Sequence, residues 1–433
     1  MKFIFTLFFS LLLPVLAHAD INDIPVHFNG RYRPYAALEK DERLKPLDEI
    51  LTLPNRHTPS FWEPLKKISL DQKNFTAYSD KSYAQIHAAY SRWLKAADPL
   101  SGIEAEELTQ ALLGGYAEIA SKPYLKSVQK ELRFPSLTQL KAEKLYVTVP
   151  WVKVSFILFT LAAIICAYGH LSFAKWAASI GFSILTVTIA LRMYILQRPP
   201  VSNMTETLLF VPWIAVLVGL VFKKEALLIS TSLAALLLGI SIFAKMGHAL
   251  ENVQAVLDSN YWLTIHVLLV VGSYALFLLS GLAGHAYLAA LAWNKQGQLN
   301  PWAKLVKNTS YLGLGMLIPG TILGGIWAAQ SWGRFWDWDP KESWAFITIL
   351  AYLIGLHAYR YKVIGDKGLA LSAIIGAWAV TFTWYGVNYI LGTGLHSYGF
   401  GNGGEWFYAF AILADAIVVG YLYCYSTKKW AHE

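Results

Sequence analysis

From Trp151 onward, apolar runs of about 20 residues, the length a helix needs to cross the hydrocarbon of a bilayer, follow one another with short polar breaks. They are read at 151–170, 174–196, 206–222, 225–245, 262–292, 308–330, 344–361, 368–391 and 405–425. In lipid a backbone amide finds no water, so each run must satisfy its own hydrogen bonds as a helix. The expected fold class is therefore an all-α polytopic membrane protein with about nine transmembrane helices, the longest (262–292) tilting or protruding. Composition fits. Of 433 residues, 55% are hydrophobic and 15% charged, too little charge to cover a soluble domain of this size.

The N-terminus has a different character. Lys2, an apolar core from Phe3 to Leu16 and Ala17-His18-Ala19 make residues 1–19 a secretory signal peptide, cleaved after Ala19 or else retained as an anchor. Residues 20–149 then form an exported, mostly helical domain. Helical spacing is visible at 83–96 and 104–119, and Pro25, Pro34, Pro46, Pro54 and Pro64 break the earlier part into short elements. No catalytic constellation appears there, and His27, His57 and His87 read as surface or packing residues. Cys166 and Cys424 stand alone within apolar runs, without a CxxC, and read as small packing residues.

The net charge of +8 could suggest nucleic acid. Its placement excludes that. Lys223-Lys224, Lys295, Lys304 and Lys307 of 293–307, Arg360, Lys362 and Lys367, and Lys428-Lys429 fall on one side of the alternating spans. An exported N-terminal domain makes that side the cytoplasm, in agreement with the positive-inside bias. The chain thus divides into the exported domain, a membrane domain at 150–427 and a cytoplasmic tail at 428–433. Segments 197–205, 246–261, 331–343 and 392–404 face outward, the periplasmic side of a bacterial inner membrane.

The third outward segment is unusual. Trp327, Trp332, Trp336, Trp338 and Trp344 lie close together, the middle three interleaved with Gly333, Arg334, Asp337 and Asp339. An interfacial aromatic belt accounts for Trp327 and Trp344 as well as a ligand does. It does not account for three tryptophans in one short loop. Loop 331–344 suits a large, flat, apolar ligand, with indoles against an aromatic macrocycle and Arg334 or Lys341 meeting carboxylates. Asp339-Pro340-Lys341-Glu342 also reads as an N-cap and first helical turn, so Asp339 and Glu342 have a capping role beside any ligand role.

Histidines flank this loop in sequence. His266 lies ~6 Å into the fifth span at 1.5 Å per residue, and His396 sits in the last outward segment. Two neutral imidazoles can ligate one iron from opposite faces, although packing roles stay open for each. His357 is ~20 Å along the seventh span, an ionisable group deep in the bilayer and a functional candidate on that ground. His170, His248 and His285 read as structural. Arg192 can snorkel or meet a carboxylate, and Asp415 needs a partner the sequence does not name.

Trp332-Gly-Arg-Phe-Trp-Asp-Trp-Asp-Pro-Lys-Glu342 resembles the tryptophan-rich (WWD) signature of the CcsA/ResC family of system II cytochrome c biogenesis, a branch of the haem-handling proteins that include CcmC. Arg198-Pro-Pro-Val-Ser-Asn-Met204 with Glu206, Trp262-Leu-Thr-Ile-His266, His357 and Gly394-Leu-His-Ser-Tyr398 extend the resemblance over about 190–425. It implies that haem b is carried across the membrane and held externally by axial ligands His266 and His396. The loop residues Trp332, Gly333, Arg334, Trp336, Trp338 and Asp339 would bind the porphyrin, and His357 would belong to an inner haem site. It further implies haem attachment to the CxxCH thiols of apocytochrome c, with a ResB/CcsB-like membrane subunit as partner. That subunit, fused ahead of the CcsA part in some relatives, would supply a second inner histidine. The segment Ile24-Pro-Val-His-Phe-Asn-Gly-Arg-Tyr-Arg-Pro34 resembles a stretch just before the CcsA spans of such fused forms.

Two rivals remain in view. A CcmC-like subunit handing haem to a carrier protein is a shorter chain. A di-haem electron-transfer cytochrome requires paired histidines at a spacing that His266, His357 and His396 do not show. Whether the chain counts as an enzyme is partly definitional, because thiol addition to vinyl groups needs proximity rather than a general acid or base.

Overall fold

The computed structural model describes residues 23–28, 31–38, 80–93, 95, 103–121, 135–222, 224–243, 250, 259–392 and 405–430. The expected signal peptide and His396 lie outside them. Contacts divide the chain into two units, Met1–Pro150 with Leu191–Gln197, and Trp151–Ala190 with Arg198–Glu433.

The first unit contains β1 (Pro25–Phe28), β2 (Arg31–Pro34), α1 (Asp80–Trp93), α2 (Ile103–Ser121) and α3 (Leu137–Thr148). The hairpin accompanies the helices of this mostly helical unit. Phe28 pairs with Arg31, and the dipeptide between them in sequence, Asn29-Gly30, is the one that most favours a tight antiparallel turn. Ile24 and Val26 are buried, and Asp23 pairs with Lys144 of α3 at 2.8 Å. At the start of α3 the Ser136 hydroxyl accepts from Gln139 N while the Gln139 side chain accepts from Ser136 N. Two backbone amides at the helix start are thereby satisfied. Arg192 does not snorkel: it is buried, and its Nη1 donates to the Tyr146 hydroxyl at 2.8 Å.

The second unit is helical. Its elements are α4 (Trp151–Ala167), α5 (Leu171–Leu196, whose last turn belongs to the first unit), α6 (Met204–Val221) and α7 (Lys224–Phe243), then α8 (Asn260–Ala292), α9 (Gln296–Trp332), α10 (Pro340–Arg360), α11 (Asp366–Leu391) and α12 (Glu405–Trp430). Among the described residues, α5, α6, α7, α8, α9, α11 and α12 are each long and apolar enough to cross a membrane. The chain is a membrane protein. The remaining two expected spans correspond to α4, of 17 residues, and α10, whose 21 residues include Lys341, Glu342, His357 and Arg360.

Helix α9 corrects the reading of 293–307 as a loop. It begins at Gln296 because Trp302, Ala303, Leu305 and Val306 bury one face while Lys304 stays exposed, an amphipathic turn continuous with the apolar run. It also takes in Trp332 as its last residue, and Gly333 at φ 73° closes it with its N–H to Ala329 O.

Helix α8 is central, packed against α6, α9, α11 and α12. Lipid tails are as apolar as leucine, so membrane helices associate through close packing and hydrogen bonds. Small residues provide both here. A Cβ at Gly284 would lie 2.6 Å from Ala370 O of α11, and Ser280 and Ser310 join α8 to α9 at 2.7 Å. Two helices are locally widened to π geometry, α8 over Leu263–Val267 and α11 over Phe382–Leu391.

Candidate functional site

Both π segments open onto one cavity in the second unit, with about 1140 Å³ of empty space including its mouth. Its walls come from the Val201–Met204 segment and Thr207 of α6, from Leu263 to Tyr274 of α8, and from Thr321 to Trp327 of α9. Trp336, the start of α10, and Trp384 and Asn388 of α11 complete them. Apolar surface dominates, as a macrocycle requires.

His266 stands on this wall at the π turn of α8. Its Nδ1 lies 2.7 Å from Gly320 O. A carbonyl can only accept, so Nδ1 carries the hydrogen and the lone pair of the neutral ring is on Nε2, the usual arrangement for a metal-ligating histidine. The ring edge meets Trp327 at 5.8 Å. It fits against α9 because residue 324 is glycine: a Cβ there would be 2.5 Å from the imidazole Cε1. Gly320, Gly324 and Trp327, all of α9, thus fix the ring.

The tryptophan loop is distributed rather than stacked. Trp327 and Trp336 line the cavity, and the Trp336 indole Nε1 is buried without a hydrogen-bond partner. Trp338 is 68% exposed at φ 57°, a left-handed conformation costly for a bulky side chain, and meets Trp336 edge-on at 5.8 Å. Trp332 ends α9, and neither it nor Gly333 lines the cavity. Arg334 pairs with Asp337 and is exposed. Asp339 has the expected capping role: its Oδ1 accepts Glu342 N at 2.9 Å, with Pro340 at the first helical position. The Glu342 carboxylate in turn accepts Asp337 N at 2.8 Å. Five of the nominated residues thus shape the loop and its exit, while His266 and Trp336 face the cavity.

Lys341 is the cation that reaches the cavity. Its Nζ donates to Asn388 Oδ1 at 3.0 Å, and burial pulls its pKa down to about 8 although the nearby Asp339 acts in the opposite sense. Asn388, an amide inside an apolar run, was the sequence signal for this corner. Thr207 and Trp384 were also missed; the Trp384 indole donates to Thr207 at 3.0 Å and ties α11 to α6. The Val201–Met204 segment is fixed by a buried pair, Arg198 with Glu206 at 3.2 Å, and by Ser202 N and Oγ on the second Glu206 oxygen.

His357 is not enclosed by the bundle. It lies exposed on α10 in a separate apolar groove with Tyr311, Ile318, Pro319, Leu353 and Arg360, and its Nδ1 donates to Leu353 O at 2.8 Å. His285, read as structural, is the partner that Asp415 needed: Nε2 is 3.0 Å from Asp415 Oδ1, and Trp378 Nε1 donates to Oδ2 at 2.7 Å.

Residues 201–396 match the family described as Cytochrome C assembly protein, and every residue lining the cavity falls in that range. The cytochrome c biogenesis protein CcsA of Mesostigma viride is 33% identical over 255 residues, 50% of this chain and 82% of that protein. The chain belongs to the CcsA family. The CcsA protein of Chlamydomonas reinhardtii is 34% identical over 220 residues, 47% of this chain and 62% of that one. Protein NrfI of Wolinella succinogenes is 29% identical over 403 residues, covering 83% of this chain but only 44% of its own length. The chain therefore spans less than half of that longer relative.

Proposed function

We propose that the cavity receives haem and presents it for covalent attachment to apocytochrome c. The observation that carries this reading is His266, held by Gly320 O in the tautomer that puts the lone pair on Nε2, on the wall of an apolar cavity with Trp327 and Trp336. Such a wall recognises a flat aromatic ligand and supplies one axial nitrogen. His396, outside the described residues, is the proposed opposite ligand. Attachment itself requires only that each CxxCH thiol add across a haem vinyl group, forming one C–S and one C–H bond with no net change in electrons and no leaving group. The protein's part is then orientation and protection of the iron.

His357 is proposed as one ligand of a second, inner haem site. Its exposure on the bundle surface suits completion of that site by a ResB/CcsB-like partner subunit. On this reading residues 20–149 are exported, the cavity opens toward the periplasm, and the protein resides in a bacterial inner membrane.

Absorption spectroscopy of the full chain purified in detergent tests the outer site. A low-spin haem spectrum in the wild type should be lost or become high-spin in His266→Ala and be restored in part by added imidazole. A spectrum indifferent to the substitution would remove His266 as a ligand.

A further inference from the structure

We propose that Lys341 and the Trp336 indole N–H form a carboxylate-binding corner of the cavity, which takes the acid end of a ligand whose body is apolar. The corner rests on the haem reading above and names which end of the porphyrin is bound there: a propionate.

Three observations point the same way. Lys341 lines the cavity, and its ammonium donates to the neutral amide oxygen of Asn388, with the Asp339 carboxylate nearby but bonded to Glu342 N. Burying an ammonium is costly unless a charge or several hydrogen bonds compensate it, and a neutral amide compensates only in part. Second, Trp336 lines the same cavity, and its Nε1 is buried without a hydrogen-bond partner among the described residues. Indole nitrogen is a donor only, so what it lacks is an acceptor. Third, the nearby carboxylates are engaged with backbone donors: Asp339 with Glu342 N, and Glu342 with Asp337 N. A cation and a neutral donor facing an apolar chamber match a carboxylate on a hydrophobic body. Arg334, the other cation of the loop, is tied to Asp337 at the surface and takes no part.

A porphyrin propionate and a free fatty acid share this chemistry, and the probes distinguish them. The full chain in detergent is titrated with iron protoporphyrin IX, with its dimethyl ester and with palmitate. Wild type is expected to bind the diacid about tenfold or more tightly than the ester, since a hydrogen bond to a charged group contributes about 1.5–3 kcal/mol. Lys341→Met should abolish that preference, Lys341→Arg should restore it, and Trp336→Phe should weaken it. Equal binding of diacid and ester by wild type, or a preference that survives in Lys341→Met, overturns the corner and leaves the haem reading standing. If neither porphyrin binds, the haem reading fails. Palmitate binding that is lost in Lys341→Met would then still support the corner, and palmitate binding indifferent to Lys341, or absent, would overturn it.

Discussion

His266 and Gly324 meet so closely that a single added carbon would not fit: a Cβ at residue 324 would stand 2.5 Å from the imidazole Cε1. The ring is also held by Gly320 O, one turn earlier on the same helix, at 2.7 Å, so it cannot retreat without losing the bond that sets its tautomer. Gly324→Ala is accordingly expected to weaken iron protoporphyrin binding about tenfold or more, or to convert low-spin to high-spin haem, since misplacement by about 1 Å is already costly at such sites. Gly297→Ala, in the same helix with nothing within 4 Å, is the control and should leave the spectrum unchanged. Equal spectra for the two variants would show that Gly324 does not position His266.

Lys341 gives the cavity a pH dependence. Its pKa is held near 8 against an ordinary 10.5 because burial disfavours the ammonium. From about pH 8 to 10.5 the unfolded chain binds the proton that the folded one has released, so this group's contribution to stability rises with pH in that window. Affinity for a carboxylated porphyrin should move the other way, falling as pH rises through about 8, while affinity for the dimethyl ester stays flat. Parallel titrations of both ligands at pH 6.5 to 9.5 check it, and matching curves would contradict it.

The segment leading into α6 depends on the Arg198–Glu206 pair, both side chains nearly fully buried. Removing one partner strands a buried charge, at a typical cost of about 3–5 kcal/mol. Glu206→Ala also deprives Ser202 N and Oγ of their acceptor. We expect a clear drop in the thermal midpoint of Glu206→Ala, with a smaller drop when Arg198→Met is added to it. Additive losses would mean the pair is not coupled.

At Asp415, three helices share one carboxylate. His285 Nδ1 donates to Gly281 O at 2.8 Å, and its Nε2 faces Asp415 Oδ1 at 3.0 Å. Asp415→Asn keeps an acceptor for the Trp378 indole, whereas Asp415→Leu leaves that donor unmet at about 1–3 kcal/mol. Faster amide exchange along α12 is expected in the leucine variant and not in the asparagine one; identical exchange in both would show that the cluster does not anchor α12.

The apolar runs were legible because burial in lipid constrains every residue of a span, and the cap at Asp339-Pro340 was legible because its chemistry is local. Helix α9 was misjudged at its start, where Lys295, Lys304 and Lys307 suggested a loop; the buried face through Trp302 and Val306 depends on neighbours that hydropathy does not register. The β1–β2 hairpin was likewise missed, being short and dependent on the burial of Ile24 and Val26.

The sequence by itself determined that the chain is a bundle of membrane helices, that its tryptophan-rich loop is exceptional, and that His266 is a candidate ligand, because each of these is a property of a contiguous segment. Only the tertiary structure decided that Trp336 faces the cavity while Trp338 does not, that Lys341 rather than Arg334 is the cation inside, and that Asp415 belongs with His285, 130 residues away. Those pairings come from side chains on different helices meeting at one depth, and helix packing sets that depth and rotation through small residues such as Gly284 and Gly324, which carry no hydropathic signal.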